Sequence, residues 1–259
     1  MRSNAPRSLD GRCAIVTGAG NGLGLAISRK LVACGAKVLL VDRDPVVAGR
    51  LTDGNFPTGR AYAKIQDLAE EDAAPVIFQA ALAAMGTVNI LINNAAWSLH
   101  KTMLEMLPAE FNRLIAVNQR APYFLAQEVV RHISLCAERP KDTCIINIAS
   151  VNALAGFSHL VAYAGTKGAL VAMTRAMAVE MAPLGIRVNS ISPAIVDTPM
   201  LRKVIAERKL DMGTFFDDYL VKRLASCEEI AELVAYLCSP AAACVDGANW
   251  LIDGGYLAH

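Results

Sequence analysis

Short apolar runs alternate with longer segments of mixed polarity along the chain of 259 residues. The apolar runs are nearly continuous, a pattern typical of parallel strands that are covered by helices on both faces. The clearest of them span residues 14–16, 38–41, 88–92, 144–148 and 186–191. Helices are predicted in the segments 23–34, 70–85, 108–135, 163–182 and 227–237. Because strands and helices alternate, we predict an α/β fold with a single Rossmann-type, doubly wound parallel sheet and helices on both of its faces.

Length and composition fit one domain that spans residues 1–259. The chain has a mass of 27.6 kDa and contains neither a linker-like segment nor an internal repeat. Its hydrophobic fraction of 54% excludes a disordered protein, and its 25 basic and 24 acidic side chains leave no positive surplus for binding nucleic acid. No apolar run approaches the roughly 18 residues that span a bilayer, and the N-terminal MRSNAPRSLDGR lacks the apolar core of a secretory signal. We therefore expect a cytoplasmic protein that binds neither nucleic acid nor membrane.

The spacing of cysteine and histidine residues favours neither a disulfide nor a metal site. The cysteines are scattered and never spaced as Cys-x-x-Cys, so we interpret them as small buried side chains in a reducing compartment. They lie at positions 13, 34, 136, 144, 227, 238 and 244. None of His100, His132, His159 and His259 lies at zinc-site spacing from another potential ligand, so no metal is expected. We interpret His159 as a solvated loop residue, with a position in a pocket wall as the alternative.

A glycine-rich segment follows the first predicted strand and precedes the first predicted helix. Residues 17–24 read TGAGNGLG. Glycines permit a tight turn and let backbone N–H groups approach a pyrophosphate at the helix N-terminus, where the helix dipole favours negative charge. An ordinary glycine-rich turn is the alternative, but the order of strand, loop and helix favours a dinucleotide site.

An acidic residue ends the second predicted strand. Asp42 follows the glycines by about 20 residues, where a carboxylate is expected to hold the adenosine ribose hydroxyls and to repel the 2′-phosphate of NADP. A strand-end cap is the alternative role for this side chain. The adjacent Arg43 complicates the choice of cofactor, because its guanidinium is able to accept a 2′-phosphate.

A phenol and an ammonium are predicted to share one helix face. Tyr163 and Lys167 are four residues apart, and this spacing makes them neighbours on a helix. The pair alone is a weak signal, but Ser150 lies thirteen residues upstream, directly after a predicted strand. The position of Ser150 strengthens the signal of the Tyr163 and Lys167 pair.

Taken together, these motifs resemble those of the short-chain dehydrogenase/reductase family, and the match covers essentially the whole chain. The family's glycine motif is matched by Thr17, Gly18, Gly22 and Gly24. Its other motifs are matched at 93–96, at Asn118, at Ser150, Tyr163 and Lys167, at 193–194 with Thr198, and at 252–255. Ala96 and Ala194 replace family glycines, and each adds a methyl group where the backbone approaches the ligands closely.

The resemblance implies a catalytic set of Asn118, Ser150, Tyr163 and Lys167. Tyr163 would exchange a proton with the substrate hydroxyl, and Ser150 would hydrogen-bond to the reacting oxygen. Because a free phenol has a pKa of about 10, we expect the Lys167 ammonium and a cationic nicotinamide to lower the pKa of Tyr163. Lys167 would also hold the nicotinamide ribose, and Asn118 would support a water relay. The implied cofactor contacts are Gly18, Asn21, Gly22, Leu23, Gly24, Asp42, Asp67, Leu68, Asn94, Ala95, Tyr163, Lys167, Pro193, Val196 and Thr198.

The leading hypothesis is an NAD(H)-dependent oxidoreductase that interconverts a secondary alcohol, such as a polyol, sugar or cyclic alcohol, and its ketone. The alternative is an NADPH-dependent reductase of a 3-oxoacyl thioester, against which Asp42 argues. A cofactor-sensing module without turnover is a third hypothesis, and the retained catalytic set argues against it. The resemblance also implies a homotetramer, or a dimer, paired through helices 108–135 and 163–182, with Ala172, Met173, Ala176 and Met177 allowing close approach.

Residues 198–226 interrupt the alternation of strands and helices and are predicted to form a substrate lid. The segment follows the sixth strand, at the carboxyl edge where an open α/β sheet binds its ligands. Gly213 is a candidate hinge. The apolar residues able to cover a substrate are Met200, Leu201, Met212, Phe215, Phe216 and Tyr219. A surface helix pair packed permanently on the domain is the alternative.

Overall fold

A parallel sheet forms the centre of the computed structural model, which describes residues 8–140, 142–198, 201, 202, 205 and 216–258. The strands are β1 (Cys13–Thr17), β2 (Lys37–Asp42), β3 (Ala61–Ile65), β4 (Ile90–Asn93), β5 (Thr143–Ile148), β6 (Ile186–Pro193), β7 (Val196–Asp197), β8 (Ala225–Ser226) and β9 (Asn249–Ile252). Within the described residues, the main sheet has seven strands in the order β3-β2-β1-β4-β5-β6-β9, and β7 pairs with β8 separately. The strand order reverses between β1 and β4, and such a switch point is where doubly wound sheets bind ligands.

Helices cover both faces of the main sheet. They are α1 (Gly22–Ala33), α2 (Val46–Gly49), α3 (Ala73–Met85), α4 (Pro108–Ile115), α5 (Ala121–Leu135), α6 (Val161–Met181) and α7 (Cys227–Cys238). One apolar cluster joins α1 and α7 to the sheet, and a second joins α3, α5 and α6 to its other face. The adjacent residues Leu91 and Ile92 of β4 belong to opposite clusters, because successive side chains of a strand point to opposite faces. The predicted fold class is confirmed.

The five predicted strands lie within two residues of their predicted bounds. β3 was not predicted, because this edge strand is only partly buried and its sequence, AYAKI, has no continuous apolar run. The third helix begins at Ala73 rather than at residue 70. The predicted helix over 108–135 is confirmed as one uninterrupted helical segment, in which an unpredicted π-helical turn at Ala116–Arg120 joins α4 to α5.

Proline explains this π-helical turn. Pro122 has no N–H group, so the α-helical hydrogen bond to the carbonyl group of Asn118, four residues earlier, does not form. The chain widens instead, and the N–H group of Ala121 bonds to the oxygen of Ala116, five residues back. Asn118 lies within this turn.

The observed exposure of the cysteine and histidine side chains corrects some of the predictions and agrees with others. Cys13, Cys144, Cys227 and Cys238 are buried as predicted, and no disulfide joins any of the seven cysteines within the described chain. The prediction of buried side chains is wrong for Cys34 and Cys136, which are half-buried, and for Cys244, which is exposed. His159 is exposed on a loop, as the preferred interpretation predicts. No helix in the described ranges is long and apolar enough to cross a membrane.

Only part of the α6 face that was predicted to contact a second copy of the chain is exposed. Ala172 and Ala176 are exposed, and Met173 is half-buried against the core of its own domain. Met177 is buried within that core, so the expectation that it allows contact with a second copy is wrong. The exposed face of α6 is therefore narrower than predicted.

The two ends of the segment 198–226 lie next to each other. β7 and β8 are hydrogen-bonded parallel partners, with Val196 opposite Ala225 and Asp197 opposite Ser226. Among the predicted lid residues, Tyr219 is buried, Phe216 contacts its ring, and Leu201 is half-buried. Met200, Met212, Gly213 and Phe215 lie outside the described residues. The lid therefore stays a prediction.

Candidate active site

A cleft of about 820 Å³ opens at the carboxyl ends of β1, β2 and β4. Ten of the predicted cofactor contacts line it: Gly18, Asn21, Gly22, Leu23, Asp42, Asp67, Leu68, Asn94, Ala95 and Thr198. Its wall also includes residues that were not predicted as contacts: Val41, Arg43, Asp44, Ala96, Trp97, Arg113 and Val117. The other predicted contacts, Gly24, Tyr163, Lys167, Pro193 and Val196, are described but do not line this cleft. The cleft thus joins the glycine loop to the end of β2.

The glycine loop requires glycine for steric reasons at two positions. A Cβ atom at Gly24 would lie 2.1 Å from the backbone oxygen of Gly18. Gly18 has a φ of +65°, and a Cβ atom there would lie 2.9 Å from the Cα atom of Ala95. These two glycines therefore let the start of α1 and the residues after β4 pack closely against the loop. The loop leads into the N-terminus of α1, where backbone N–H groups favour a pyrophosphate group.

Asn94 fixes the glycine loop to the neighbouring strand. Its Nδ2 atom donates to the backbone oxygen of Thr17 at 2.8 Å. In return, the Thr17 hydroxyl accepts hydrogen bonds from the N–H groups of Asn94 at 3.0 Å and Ala95 at 3.1 Å. Asn94 therefore both lines the cleft and holds the turn in place.

Asp42 caps the end of β2 and also lines the cleft, while its contact with a ribose stays a prediction. Its Oδ1 atom accepts a hydrogen bond from the N–H group of Asp44 at 3.0 Å, which is the strand-end cap. Its Oδ2 atom accepts from the N–H group of Gly20 at 2.9 Å, while the carboxylate still lines the cleft. The negative charge is thus anchored beside the glycine loop.

Arg50 clamps the other side of the glycine loop and was not predicted. Its Nε atom donates to the backbone oxygen of Gly20 at 2.8 Å, and its Nη2 atom donates to Oδ1 of Asn21. The residue lies outside any recognisable motif, and it reaches the loop only because α2 folds back over it. Sequence offered no signal for this contact.

Asp67 joins α4 to the wall of the cleft. Its carboxylate accepts hydrogen bonds from the N–H group of Ala69 at 2.9 Å and from Arg113 at 2.7 Å. Burial raises the pKa of Asp67, but these hydrogen bonds and the positive charges of Arg113 and Arg43 outweigh it, and the pKa is lowered. The Arg113 guanidinium also lies 5.5 Å from the centre of the Trp97 ring. Asp67 is therefore ionised at neutral pH and holds Arg113 against the cleft.

Ser150, Tyr163 and Lys167 come together at the carboxyl end of β5. Ser150 follows the strand and caps a short 3₁₀ turn at Val151–Ala153, while Tyr163 lies in the first turn of α6. Lys167 is buried, its Nζ atom donates to the backbone oxygen of Ile148 at 2.6 Å, and it lies 5.7 Å from the centre of the Tyr163 ring. The three predicted side chains thus share one site.

Burial shifts the titration of this site in an unexpected direction. It lowers the pKa of Lys167 to about 7, so the side chain carries only part of a positive charge at neutral pH. It also raises the pKa of Tyr163 to about 12, against the smaller effect of a hydrogen bond with Ser150. The raising effect of burial is the largest one on Tyr163, and the expected lowering of this pKa by Lys167 and a cationic nicotinamide stays a prediction for the cofactor-bound site. Tyr163 is a protonated phenol at neutral pH.

Both the nitrogen and the oxygen of the Asn118 amide form hydrogen bonds within the protein. Its Nδ2 atom donates to the backbone oxygen of Trp97 at 2.8 Å and to the hydroxyl of Thr166 at 3.1 Å, and its Oδ1 atom accepts from the N–H group of Trp97 at 2.8 Å. Thr166 in turn donates to the backbone oxygen of Tyr163 at 2.8 Å. Asn118 therefore links the cleft wall to the helix that carries Tyr163, and its role in a water relay stays a prediction.

Comparison with known proteins covers almost the entire chain. A family model described as enoyl-(acyl carrier protein) reductase matches residues 18–257. The chain is similar to meso-2,3-butanediol dehydrogenase of Serratia marcescens, with 31% identity over 246 residues that cover 95% of this chain and 94% of the relative.

Solved structures give the same picture. A short-chain dehydrogenase/reductase of Brucella melitensis, described as a glucose/ribitol dehydrogenase, has a TM-score of 0.86 at 31% identity, covering 95% of this chain and 97% of its own. A 3-ketoacyl-(acyl-carrier-protein) reductase of the same organism, complexed with NADH, has a TM-score of 0.86 at 34% identity, covering 96% of this chain and 99% of its own. The similarity thus extends over fold and sequence together.

Proposed function

Because the chain belongs to the short-chain dehydrogenase/reductase family, we propose that it is an NAD(H)-dependent enzyme that interconverts a secondary alcohol and its ketone. The observation that carries this proposal is the convergence of Ser150, Tyr163 and Lys167 at the carboxyl edge of the sheet whose glycine loop and Asp42 line the cleft. A small polyol, sugar or cyclic alcohol is the proposed substrate class. The butanediol and glucose/ribitol dehydrogenases among the similar proteins support it.

The cleft supports NAD(H) as the cofactor. The glycine loop leads into the N-terminus of α1, which favours a dinucleotide pyrophosphate, and the anchored Asp42 carboxylate would repel a 2′-phosphate. Arg43, the group that favours the phosphate, lies close enough to Asp67 to lower the pKa of that carboxyl. Its charge is thus partly offset, and Asp42 is expected to decide the preference.

The side chains of the site divide the chemistry as follows. When bound, a nicotinamide cofactor accepts or supplies the hydride, and its oxidised ring carries a positive charge that favours the Tyr163 phenolate. Tyr163 gives its proton to the substrate oxygen in ketone reduction and takes it back in alcohol oxidation. Ser150 donates a hydrogen bond to the same oxygen while negative charge develops there. With its pKa raised to about 12, Tyr163 holds its proton at neutral pH and is ready for the reductive direction.

Reduction of a 3-oxoacyl thioester is the second candidate function. The structural similarity to a 3-ketoacyl-(acyl-carrier-protein) reductase favours it, and that protein was complexed with NADH. The two candidates therefore differ mainly in the size and chemistry of the substrate. A cofactor-sensing module without turnover is disfavoured, because Ser150, Tyr163 and Lys167 are all retained.

A substrate panel separates these candidates. The purified chain is mixed with NADH or NADPH and with hydroxyketones, keto-sugars, cyclic ketones or a 3-oxoacyl thioester, and the absorbance of the reduced cofactor is followed. Oxidation of NADH by small ketones, faster than by the thioester, is the expected result. Faster turnover of the thioester than of the small ketones, with either reduced cofactor, would support the second candidate, and absence of turnover with the whole panel would contradict both.

We further propose that copies of the chain assemble as a homotetramer, or a dimer, through α5 and α6. The exposed side chains that support this include Tyr123, Phe124, Ala172, Ala176 and Val179. Aromatic side chains left at a surface favour a protein interface. Light scattering is expected to give a mass of two or four times 27.6 kDa, and a mass near 27.6 kDa itself would contradict the proposal.

A further inference from the structure

An amide beside Ser150 has no role in the mechanism described so far. The Ser150 hydroxyl donates to Oδ1 of Asn152 at 3.0 Å, and the backbone N–H group of Asn152 donates back to Oγ at 3.2 Å. The Nδ2 atom of Asn152 is shielded from solvent and has no hydrogen-bond partner in the described part of the chain. One face of this amide is thus fully engaged with Ser150, and the other is unsatisfied.

In the observed orientation of the Asn152 amide, the Ser150 hydroxyl donates its proton to Asn152 and not towards a substrate oxygen. A hydroxyl group has one proton, and here that proton lies on the bond to Asn152. In the proposed mechanism the same proton must reach the substrate oxygen. The hydrogen bond to Asn152 therefore has to be broken or replaced when substrate binds.

Rotation of the amide by half a turn resolves this conflict. It exchanges Oδ1 and Nδ2, which are nearly equal in size, so it needs no extra space. Nδ2 would then donate to Oγ of Ser150, together with the backbone N–H group of Asn152. With two donors directed at its oxygen, Ser150 would release its proton to the substrate.

Nothing in the described contacts opposes this rotation. The rotation exchanges one hydrogen bond for another, because Oδ1 gives up the Ser150 proton while Nδ2, which has no partner to lose, gains Oγ as its acceptor. We propose that Asn152 is a positioning residue whose amide sets the direction of the Ser150 proton, by accepting that proton in one orientation and releasing it to the substrate oxygen in the other. This inference rests on the proposed function, because it requires Ser150 to donate to a substrate oxygen.

Two substitutions at position 152 test the inference. Asn152→Asp keeps the shape but offers only acceptors, so the Ser150 proton stays on the carboxylate and the kcat for ketone reduction falls about 10²-fold at about pH 8. Asn152→Ala removes the competing acceptor, which frees the Ser150 proton, but it also removes the Nδ2 donor that would position Oγ, so kcat falls only about tenfold or less. A purely structural role predicts the reverse order, because Asp is nearly isosteric with Asn and Ala leaves a void.

The pH profile gives a readout that packing does not move. As pH falls, the new carboxyl group protonates, regains an O–H donor and releases Ser150, so Asn152→Asp recovers activity relative to the wild type. The introduced carboxylate also raises the pKa of the neighbouring Tyr163 and Lys167, so the recovery is compared with that of Asn152→Ala, which adds no charge. A ratio that stays constant from about pH 8 down to about pH 4, where an ordinary Asp protonates, would overturn the inference.

Controls separate this inference from the proposed function. All variants are compared with the ketone and cofactor that the wild type uses best, and cofactor affinity is expected to stay within about threefold, since position 152 lies outside the cleft wall. If Ser150→Ala keeps the wild-type kcat, the proposed role of Ser150 is wrong, and the inference fails with it. If Ser150→Ala loses activity but Asn152→Asp is milder than Asn152→Ala, the proposed function stands and only the inference is overturned.

A second pair of variants decides the question if Asn152→Asp does not fold. Asn152→Ser supplies both a donor and an acceptor at nearly the volume of Ala. It is expected to retain a several-fold higher kcat than Asn152→Ala. An equal or lower kcat in Asn152→Ser would overturn the inference.

Discussion

The Nζ atom of Lys167 donates to the backbone oxygen of Ile148 at 2.6 Å, inside a site where burial lowers its pKa to about 7. An unfolded chain holds the same lysine near its ordinary pKa of 10.5, so between these values only the unfolded state keeps the proton. Lys167 therefore lowers the stability of the fold below about pH 7, and this cost disappears as the pH approaches 10.5. Lys167 thus occupies a site where its burial destabilises the fold.

Replacing Lys167 is expected to stabilise the protein while removing activity. Lys167→Met abolishes the cost of burying an ammonium but leaves the Ile148 oxygen without its donor, for a net gain of about 1–2 kcal/mol near neutral pH. Denaturant unfolding measures this gain, which is expected to shrink as the pH rises towards 10. Lys64→Met on β3 serves as the control, with a change within about 0.5 kcal/mol. A gain that grows with pH would contradict the explanation.

Removal of the Tyr163 hydroxyl is expected to stop proton transfer without disturbing the fold. Tyr163→Phe should lower kcat by about 10²-fold or more, while cofactor affinity stays near the wild-type value. Initial rates and a cofactor titration, each with the wild type alongside, make the comparison. A variant that keeps most of its activity would show that another group carries the proton.

Steric crowding in the glycine loop predicts a sharp difference between two glycines. Gly24→Ala places a methyl group 2.1 Å from the Gly18 oxygen, so the loop must shift, with an expected loss of about 2 kcal/mol or more and weaker cofactor binding. Gly49→Ala in α2 meets no atom within 4 Å and is expected to be neutral or slightly stabilising. Thermal unfolding and cofactor titration test both. Equal effects of the two substitutions would refute the steric explanation.

The charge of Asp42 is expected to set the cofactor preference. The wild type should favour NAD(H) by about tenfold or more, an unfavourable phosphate contact of about 1.4 kcal/mol. Asp42→Asn removes the charge but keeps an acceptor for the N–H group of Gly20, so it should narrow this preference with little loss of affinity for NAD(H). Asp42→Ala removes both and should weaken both cofactors. Equal or better use of NADP(H) by the wild type would disprove the assignment.

Local sequence predicted those parts of the site that depend on short stretches of chain. The glycine loop, the strand-end Asp42 and the pair Tyr163 and Lys167 follow from spacing within one element, and resemblance supplied Asn118 and Asp67. Contacts between distant segments were not predictable in this way. Arg50 reaches the glycine loop from α2, and the direction of the pKa shift at Tyr163 depends on burial by several elements.

The π-helical turn was not predicted from the sequence. Pro122 is plain in the sequence, yet prolines are common in the first turn of a helix, and the periodicity of 108–135 continues across it. Only the structure shows that the missing N–H group widens the helix at Asn118. β3 was missed for a different reason, since an edge strand buries too little surface to need an apolar sequence.

The pairing of β7 with β8 brings the two ends of the intervening segment to adjacent strands, about 5 Å apart. Closing a flexible loop between fixed ends becomes only about 0.6 kcal/mol costlier for each doubling of its length. We therefore expect changes in the length of the segment between these strands to leave the glycine loop and the proton-transfer residues in register. Grafting the corresponding stretch from a relative is expected to change the substrate, because the segment is the predicted lid.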